Sequence, residues 1–525
     1  MVSMKPRLWV IPSSLALGAL LAHFQPGNFL LGLLLFSFLL LLSFYILRLA
    51  STWAVPPRIL HLSSFILFTA FLLRLALGLT LYLTLPLNEN GANDHRAGYV
   101  FFDAYRRDAQ AWELAQSDSP ILSAFNKNFY TDQYGGLLAL SAASYRYLSP
   151  DAHRPLLPVI LGALTASLGL AFLWKAAARQ WDDRVALAAC VVYALYPESI
   201  LLGASQMREP FLMGFMAMAL WGFVAARAST AGSASLRPPL SALIFLTLGF
   251  AGMLLVSPVA ALLTLVIFAG WAWVGREHSR VSWIALSAAA ALFVVGIYLL
   301  AWGLERGPGA ASSPVGVILD FARDAVKWDV HQLERGSGWV QKLFDEMPEA
   351  LRPLFVIVYG ITQPVLPATF IEPTTLTLHL LGIFRALGWY VLVPLLFFAP
   401  FAARRLPPGA GRRLWTWILA SVWVWIVIAA LRGGADQWDN PRYRAMLIVF
   451  ESLAAGFAWV HRDRWLTRIL AIEVVFLAIF TQWYVSRYYQ LGGQISFGGM
   501  VALILALAAL ILAAGWWLDR KSAHR

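Results

Sequence analysis

The chain has 525 residues, of which 60% are hydrophobic and 13% are charged, and its mean hydropathy is +0.67. Soluble domains contain about a quarter charged residues, so this composition excludes a soluble globular protein and predicts an all-α polytopic membrane protein. The formal net charge of +12 resides mainly in short loops, as is typical of cytoplasmic loops in membrane proteins, and does not imply nucleic acid as a partner. The single cysteine, Cys190, excludes a disulfide within the chain.

Apolar windows predict about fourteen transmembrane helices, because a lipid-exposed backbone has to satisfy its hydrogen bonds within a helix of about 20 residues. The first window follows Lys5 and Arg7 without a convincing cleavage site, so we interpret it as a retained span. The predicted spans are Leu8–Phe24, Phe29–Leu49, Leu60–Pro86, Leu156–Trp174, Val185–Leu202, Phe211–Ala226, Leu240–Val256, Val259–Val274, Val281–Trp302, Thr377–Phe401, Leu414–Leu431, Ala445–Val460, Leu466–Val485 and Phe497–Leu518.

Loop charges predict the orientation of these spans in a plasma (inner) membrane. With both termini in the cytoplasm, most basic side chains fall in inside loops and most carboxylates fall in outside loops. The apolar segment Leu354–Phe370 is interrupted by one glycine and two prolines. If this segment crossed, the arginines between Arg404 and Arg413 would move outside, so we expect it to be interfacial or re-entrant.

Two predicted outside loops are long enough to carry a functional site. The predicted regions are residues 1–59 with two additional N-terminal helices, residues 60–303 with the transmembrane core and its first outer loop 88–154, residues 304–375 with the second outer loop, and residues 376–525 with the C-terminal helices. Amphipathic stretches at Gln133–Leu148 and Ile318–Leu333 predict helices that lie on the membrane surface within the two loops.

The first outer loop contains two candidate catalytic carboxylates, Asp108 and Asp103. If this stretch is helical, Asp108 shares a face with Trp112 and Ala115, and Asp103 has the spacing of an exposed ion pair with Arg107. A carboxylate at the membrane surface orients or deprotonates an acceptor hydroxyl in general-base catalysis. The alternative is a solvated acidic face of the loop, which the residue pattern alone leaves open.

A second candidate cluster precedes the twelfth span. Asn440 is a good N-cap and Pro441 a good first helical residue, so we expect a helix to begin here on the outside. Arg442 and Arg444, on either side of Tyr443, would then lie near free backbone N–H groups, which suits a phosphate. The alternative is that these arginines anchor lipid headgroups.

Four further ionisable residues, Tyr443, Glu198, Glu209 and Arg74, are secondary candidates. Glu198, Arg208 and Glu209 lie at a predicted outside boundary of the membrane, where a local structural pair explains them as well as a site does. Arg74 lies deep within the third predicted span, where a charge is costly unless it faces protein or a polar cavity.

Several segments of the chain carry a family resemblance. They are Asp108-Ala-Gln-Ala-Trp-Glu-Leu-Ala, Tyr134-Gly-Gly-Leu-Leu-Ala-Leu, the stretch from Ala186 to Glu209, and Asn440-Pro-Arg-Tyr-Arg444. With the order of spans and loops, they resemble the GT-C glycosyltransferases, in particular relatives of the protein O-mannosyltransferases and the aminoarabinose transferases. Ala109 and Trp112 stand where that family usually has an acidic residue and a tyrosine.

The resemblance implies an enzyme that transfers a hexosyl or pentosyl group from a polyprenyl-phosphate-linked donor to a lipid, glycan or protein acceptor at the extracytoplasmic face. It implies that Asp108 is the catalytic aspartate. For the donor phosphate we expect Arg442 or Arg444, together with Arg208, to supply the charge-assisted hydrogen bonds. These residues are compatible with a site with or without a divalent metal ion. Two other functions remain open, an envelope polysaccharide polymerase or ligase and a multi-span transporter or flippase, although an inverted repeat is not evident.

Overall fold

The structure is a computed structural model in which every regular element among the described residues is a helix. The described residues are 10–87, 92–126, 129, 131–132, 134–232, 239–275, 347–370, 374–434 and 436–523. The predicted span Val281–Trp302 and the predicted surface helix Ile318–Leu333 lie outside these residues, as does most of the second outer loop. The all-α fold class is therefore confirmed for the part of the chain that the structure describes.

Twenty α-helices occupy the described residues. They are α1 (Val10–Phe24), α2 (Phe29–Ala54), α3 (Leu60–Thr84), α4 (Asn93–Arg96), α5 (Phe102–Gln116), α6 (Gly136–Leu148), α7 (Leu156–Gln180), α8 (Asp183–Leu195), α9 (Pro197–Gly203), α10 (Glu209–Gly232), α11 (Leu240–Val256), α12 (Pro258–Val274), α13 (Arg352–Thr362), α14 (Leu366–Thr369), α15 (Leu376–Arg404), α16 (Ala410–Gly433), α17 (Asp439–Arg444), α18 (Ile448–Val460), α19 (Arg464–Tyr488) and α20 (Phe497–Ala523). Asn28 and Asp182 cap α2 and α8, since their side chains accept backbone N–H groups from the first turn.

Many of these helices are long and apolar enough to cross a membrane. Within the described ranges nine meet that criterion, or ten if the bent pair α8 and α9 counts as one span. The predicted spans at α1, α11 and α12 are shorter apolar helices of 15 to 17 residues. The chain is a multi-span helical membrane protein, and the number fourteen stays a prediction.

The predicted span Val185–Leu202 is broken into α8 and α9, which meet at an angle of 57°. Pro197 causes the break, because it has no N–H to donate to the Tyr193 carbonyl one turn earlier. That carbonyl instead accepts from Ser199 Oγ at 3.0 Å and from Arg74 Nη2 at 3.4 Å. Arg74 Nη2 also donates to Ser199 Oγ at 2.7 Å. This buried arginine therefore satisfies backbone and hydroxyl groups at the bend.

The contacts divide the chain into two compact units. The first unit comprises Met1–Gly270, Val281–Val317 and Ala445–Leu453, and the second comprises Trp271–Arg280, Ile318–Arg444 and Ala454–Arg525. The first unit contains the first outer loop, and the second contains Arg442 and Arg444. The region boundaries at residues 59, 303 and 375 stay predictions.

Within each unit, loops predicted to share a side of the membrane come together. In the first unit Arg58 pairs with Asp183, and Lys175 Nζ donates to the Trp53 carbonyl at 3.0 Å. Both contacts join segments that are predicted to lie on the inside, so these segments meet at one end of the unit. In the second unit Arg405 pairs with Asp463 from another inside-assigned loop. These pairs agree with the predicted alternation of loops. Which end faces the cytoplasm stays a prediction.

The interrupted segment Leu354–Phe370 forms the short helices α13 and α14. The first has 11 residues and spans about 17 Å, which is well short of a hydrocarbon core of about 30 Å. The chain then breaks at Gln363 and Pro364 before α14 begins. This geometry agrees with the expectation that the segment does not cross as a continuous helix.

Candidate functional site

The first outer loop folds around the carboxylate of Asp108. Asp108 lies in the middle of α5 and is only 1% exposed. Its oxygens accept hydrogen bonds from the hydroxyls of Tyr99 and Tyr145, and His153 Nε2 lies 2.7 Å from Oδ2. An ionised carboxylate only accepts hydrogen bonds, so Nε2 of His153 is the protonated ring nitrogen. Three donors thereby compensate the burial of one negative charge.

The predicted face of α5 is confirmed. Asp108 and Ala115 are buried on the same side of the helix, and Trp112 lies between them along that side. The Trp112 ring stacks on the ring of His153, with centroids 5.1 Å apart, and meets Tyr145 edge-on at 5.7 Å. The tryptophan therefore fixes the imidazole plane beside the carboxylate.

Helix α6 supplies Tyr145, and Asp132 fixes where that helix begins. Asp132 Oδ2 accepts the Leu138 N–H at 3.0 Å, and its other oxygen lies 3.8 Å from Arg107 Nε of α5. Gly135 adopts a φ of +77°, which L side chains rarely adopt, immediately before the first turn. The contact between Asp132 and Arg107 joins the start of α6 to α5.

Arg107 is only 2% exposed, so the expected exposed ion pair with Asp103 is wrong in its exposure. The helical spacing was right, but the α5 face that carries Arg107 turns inward toward Asp132 and toward the Gln206 carbonyl, to which Nη1 donates at 3.2 Å. Asp103 itself is exposed on the first turn of α5. Its catalytic role stays a prediction.

The two tyrosines that bind Asp108 are held in their protonated form. Burial raises the pKa of Tyr99 and of Tyr145 well above the usual value, and the nearby negative charge of Asp108 raises both further. Both hydroxyls therefore remain hydrogen-bond donors to Asp108 at neutral and moderately alkaline pH.

His153 differs from the tyrosines because its side chain is 31% exposed. Among the described residues, its Nδ1 makes no hydrogen bond. The arrangement thus joins a buried carboxylate to a partly exposed imidazole through Nε2. Such a pair accepts a proton at the free ring nitrogen while the carboxylate stabilises the resulting cation.

A small cavity of about 30 Å³ adjoins this cluster. Its walls include Tyr82, Tyr99 and Gln206, together with Gly78 at a close approach of α3. Gln206 Nε2 donates to the Pro155 carbonyl at 2.7 Å, which holds the segment after α9 against the start of α7. The volume is enough for about one or two water molecules beside the Tyr99 hydroxyl.

Three of the candidate residues lie close in sequence around α9 and α10. The guanidinium of Arg208 lies 5.2 Å from the centre of the Tyr134 ring, which places it beside the first outer loop. Glu209 begins α10, where a negative charge is favourable at a helix N-terminus. Glu198 lies in the first turn of α9, and both glutamates are buried. Glu198 and Glu209 stay secondary candidates.

In the second unit, Arg444 contacts main-chain carbonyls and a tryptophan ring. Its guanidinium donates to the carbonyls of Gly360 at 3.1 Å, Ile361 at 3.2 Å and Gln363, and it stacks 3.7 Å from the centre of the Trp389 ring. These carbonyls are at the C-terminus of α13, where backbone acceptors lack partners within the helix. The contacts favour a role for Arg444 in capping α13.

The N-cap prediction for Asn440 is wrong. Helix α17 begins at Asp439, and the Asp436 side chain accepts the N–H groups of Trp438 at 2.6 Å and Asp439 at 2.8 Å. Asp436 is four residues before Asn440, so the chain turns earlier than predicted. Arg442 Nη1 lies 3.1 Å from Asp439 Oδ1. The guanidinium of Arg442 lies over the ring of the adjacent Tyr443.

Asp108 lies in the first unit, and Arg442 and Arg444 lie in the second, so their participation in one donor site stays a prediction. Within the described ranges, no three His, Cys, Asp or Glu side chains converge as a metal-binding group. Both oxygens of Asp108 face hydrogen-bond donors, so a divalent cation at this carboxylate would have to replace existing contacts.

His153 is the residue that sequence reasoning missed. It lies 45 positions from Asp108, and no regular spacing connects the two. The available signal was the polar stretch Asp151-Ala-His-Arg154 directly before the apolar helix α7, inside the same outer loop as Asp108. Only the packing of α5 against α6 brings the imidazole to the carboxylate.

Comparison with known proteins gives matches among solved structures. No protein-family model matches the chain, and no curated protein matches it. The chain is similar to the archaeal oligosaccharyltransferase AglB of Archaeoglobus fulgidus in complex with an inhibitory peptide and a dolichol-phosphate, with 15% identity, a TM-score of 0.39, and coverage of 84% of this chain and 54% of that chain.

Two further structures of the Archaeoglobus fulgidus oligosaccharyltransferase show the same level of similarity. The apo form has 16% identity and a TM-score of 0.38, with coverage of 84% of this chain and 54% of that chain. The form tethered to an acceptor peptide with the NVT sequon has 16% identity and a TM-score of 0.39, with coverage of 86% and 54%. This chain therefore spans about half the length of these proteins.

Proposed function

We propose that the chain is a GT-C-type membrane glycosyltransferase that moves a hexosyl or pentosyl group from a polyprenyl-phosphate-linked donor to an acceptor at the extracytoplasmic face. The observation that carries the proposal is the Asp108 cluster, in which a buried carboxylate of the first outer loop orients a partly exposed histidine. The sequence around Asp108 is also the segment with the clearest resemblance to that superfamily. The acceptor is a lipid, a glycan or a protein.

The geometry supports a role for Asp108 through His153. Because both Asp108 oxygens already accept hydrogen bonds, the acceptor proton is transferred to Nδ1 of His153. The acceptor oxygen then bonds to the anomeric carbon of the sugar while the bond from that carbon to the phosphate oxygen breaks. The electron pair leaves with the polyprenyl phosphate, and the direct displacement inverts the anomeric configuration. Asp108 stabilises the imidazolium that forms.

The leaving phosphate requires a cation. Arg208 is the candidate in the same unit as Asp108, and its guanidinium lies beside Tyr134 of the first outer loop. A guanidinium offers two parallel donors to phosphate oxygens, which stabilises the charge that develops as the lipid phosphate leaves. Arg442 remains a second candidate, whereas the donors of Arg444 are directed at α13. No nucleotide is required for this reaction.

The test is a transfer assay with purified protein, labelled polyprenyl-phosphate sugars and a panel of lipid, glycan and peptide acceptors. We expect donor consumption and release of polyprenyl phosphate, and we expect Asp108→Asn and His153→Ala each to lower the rate by about 10²-fold or more. Asp118→Asn, an exposed carboxylate of the same loop, is the matched control and should retain the rate.

The same assay separates the alternatives. Consumption of a lipid-pyrophosphate-linked glycan, with no turnover of the monophosphate donor, would identify a polymerase or ligase. Movement of intact lipid between leaflets without chemical turnover would identify a transporter or flippase. Near-normal transfer by Asp108→Asn protein would remove the Asp108 cluster from the mechanism.

A further inference from the structure

We infer that the turn at residues 25–28, between α1 and α2, positions His153 for catalysis, so that the two N-terminal helices form part of the active-site scaffold. This inference rests on the proposed function. The turn contacts the segment of residues 149–156, which contains His153 and leads into α7. The two pieces of chain are more than 120 positions apart.

Three main-chain groups join the 25–28 turn to that segment. The Asn28 N–H donates to Asp151 Oδ2 at 3.3 Å, and the Asn28 carbonyl accepts from Arg154 Nη2 at 3.1 Å. The side chain of Gln25 accepts the Leu156 N–H at 3.2 Å, which satisfies a donor in the first turn of α7. The contacts therefore fix the chain on both sides of His153.

Arg154 is the centre of this contact. It is 1% exposed, and its guanidinium binds Asp151 through both carboxylate oxygens at 2.6 and 2.7 Å. It also donates to Ser149 Oγ at 2.6 Å. The hydrogen bonds that Arg154 donates hold the pKa of Asp151 below the usual range. The bidentate pair closes the segment into a compact bend, in which Asp151 and Arg154 both form hydrogen bonds with the main chain of Asn28.

Gly27 sets the separation between the turn and the bend. Its φ of +91° disfavours L side chains, and a Cβ at this position would lie 2.3 Å from Cβ of Ala152 and 2.8 Å from Arg154 Nη2. Real carbon atoms do not approach so closely without displacement. Ala152 and Arg154 are the two neighbours of His153, so any group added at residue 27 displaces the backbone that carries the imidazole.

The position of that backbone is decisive for the imidazole, because the ring has to meet Asp108 Oδ2, the face of Trp112 and the ring of Tyr145 at the same time. A shift of about 1 Å in a catalytic group lowers a rate by up to about 10²-fold. The 25–28 turn is thus a positioning element, and the group that contacts the substrate is His153.

The test uses the full-length protein with the variants Gly27→Ala and Arg154→Met and two readouts. The first is the rate at which diethyl pyrocarbonate acylates His153, followed by mass spectrometry of the peptide that contains it. We expect acylation to be several-fold faster in both variants, because the ring is released from Asp108 and Trp112. The second is transfer kinetics, in which we expect kcat to fall by roughly tenfold or more while KM for the donor stays within about twofold.

Arg146→Met is the matched control. Arg146 also binds main-chain carbonyls of the first outer loop, those of Leu114, Ala115, Ser117 and Ser119, but its guanidinium donates no hydrogen bond to the 149–156 segment. We expect this variant to lose a comparable amount of thermal stability without faster acylation of His153. Arg154→Lys should restore part of the kcat lost in Arg154→Met, since it keeps a charge beside Asp151.

The two readouts keep the inference separate from the proposed function. If acylation of His153 in Gly27→Ala and Arg154→Met proceeds at the wild-type rate, the positioning role is wrong, whatever the enzyme does. If acylation accelerates but wild-type protein transfers no sugar, the positioning role stands and glycosyl transfer is wrong. If Arg146→Met accelerates acylation equally, the effect is general loosening of the loop, and the inference is overturned.

Discussion

At the scale of single residues, the Asp108 cluster shows how a carboxylate can be buried and still have its hydrogen bonds satisfied. A buried charge without partners is strongly unfavourable, and here two phenols and an imidazole provide the compensation. The same contacts occupy both oxygens of Asp108, which is why the proposed mechanism assigns proton transfer to His153. The carboxylate is thereby protected from solvent while its partner His153 remains partly exposed.

The phenol of Tyr145 should contribute measurably to stability. Tyr145→Phe removes one donor from the buried carboxylate, so we expect a loss of about 1–3 kcal/mol at neutral pH, measured by reversible unfolding in mixed micelles. Because the folded pKa of Tyr145 is raised above its unfolded value of about 10, this contribution is fully present below pH about 10 and is lost as pH rises through the folded value. An unchanged midpoint in Tyr145→Phe at pH 7 would contradict the geometry.

The buried helical face that carries Asp108 could be predicted from the sequence because its signal is local. The spacing of Asp108, Trp112 and Ala115 on one helical face is a property of fifteen consecutive residues. His153 could not be predicted, because its contact with Asp108 depends on packing between α5 and α6 that local patterns do not encode. The N-cap prediction for Asn440 was wrong for a related reason, since Asp436, four positions earlier, supplies the acceptor that begins the turn.

At the scale of elements, the bend between α8 and α9 shows how side chains replace a missing backbone hydrogen bond. Pro197 was visible in the sequence, but a continuous apolar window favoured a single span. The break needs a substitute donor for the Tyr193 carbonyl, and Ser199 and Arg74 supply it from within the protein. Non-helical backbone at membrane depth is tolerated only with such internal partners.

The bend should show coupling between Ser199 and Pro197. Ser199→Ala leaves the Tyr193 carbonyl with only the long contact from Arg74, so we expect a loss of about 1–3 kcal/mol. In a Pro197→Ala background the loss should be smaller, because an N–H at residue 197 can reach the same carbonyl. A double-mutant cycle of unfolding free energies measures the difference, and strict additivity would argue against this account of the bend.

Helix α13 should depend on Arg444. Lysine cannot reach three carbonyls at once, so we expect Arg444→Lys to lower the thermal midpoint by several degrees while KM for the donor lipid changes little. Arg208→Lys, by contrast, should raise KM or lower kcat with little effect on the midpoint. If Arg444→Lys instead raises KM at an unchanged midpoint, Arg444 binds the donor phosphate as the sequence first suggested.

At the scale of the whole molecule, the composition and the charge pattern were sufficient to predict a multi-span helical protein. Apolar windows placed most helices correctly. The start of α2 at Phe29, after the cap at Asn28, agrees with its window, whereas Pro197 divides the window Val185–Leu202 into two helices. The order of long-range contacts could not be predicted, because helices in lipid share similar apolar surfaces and their pairing depends on shape.

The orientation of the chain can be tested with single introduced cysteines. We expect a membrane-impermeant maleimide to label Ser119→Cys in the first outer loop of intact cells, and to label Gly411→Cys only after the membrane is opened. Gly411 has open space around its Cα, and the native Cys190 is buried, so background labelling should be low. Labelling of both positions from outside would reverse the proposed sidedness of the second unit.

The contact of the 25–28 turn with the segment before α7 also has a consequence for how the protein is made. Its two halves are separated by 123 to 131 positions, so at about 5–20 residues per second the ribosome delivers the second half roughly 6–25 s after the first. During that interval α1 and α2 are already inserted, but the segment that contacts the 25–28 turn has not yet been synthesised. The outer loop can therefore acquire its final form only when the seventh helix enters the bilayer, and delayed delivery of that helix should leave a chain that is inserted, helical and inactive.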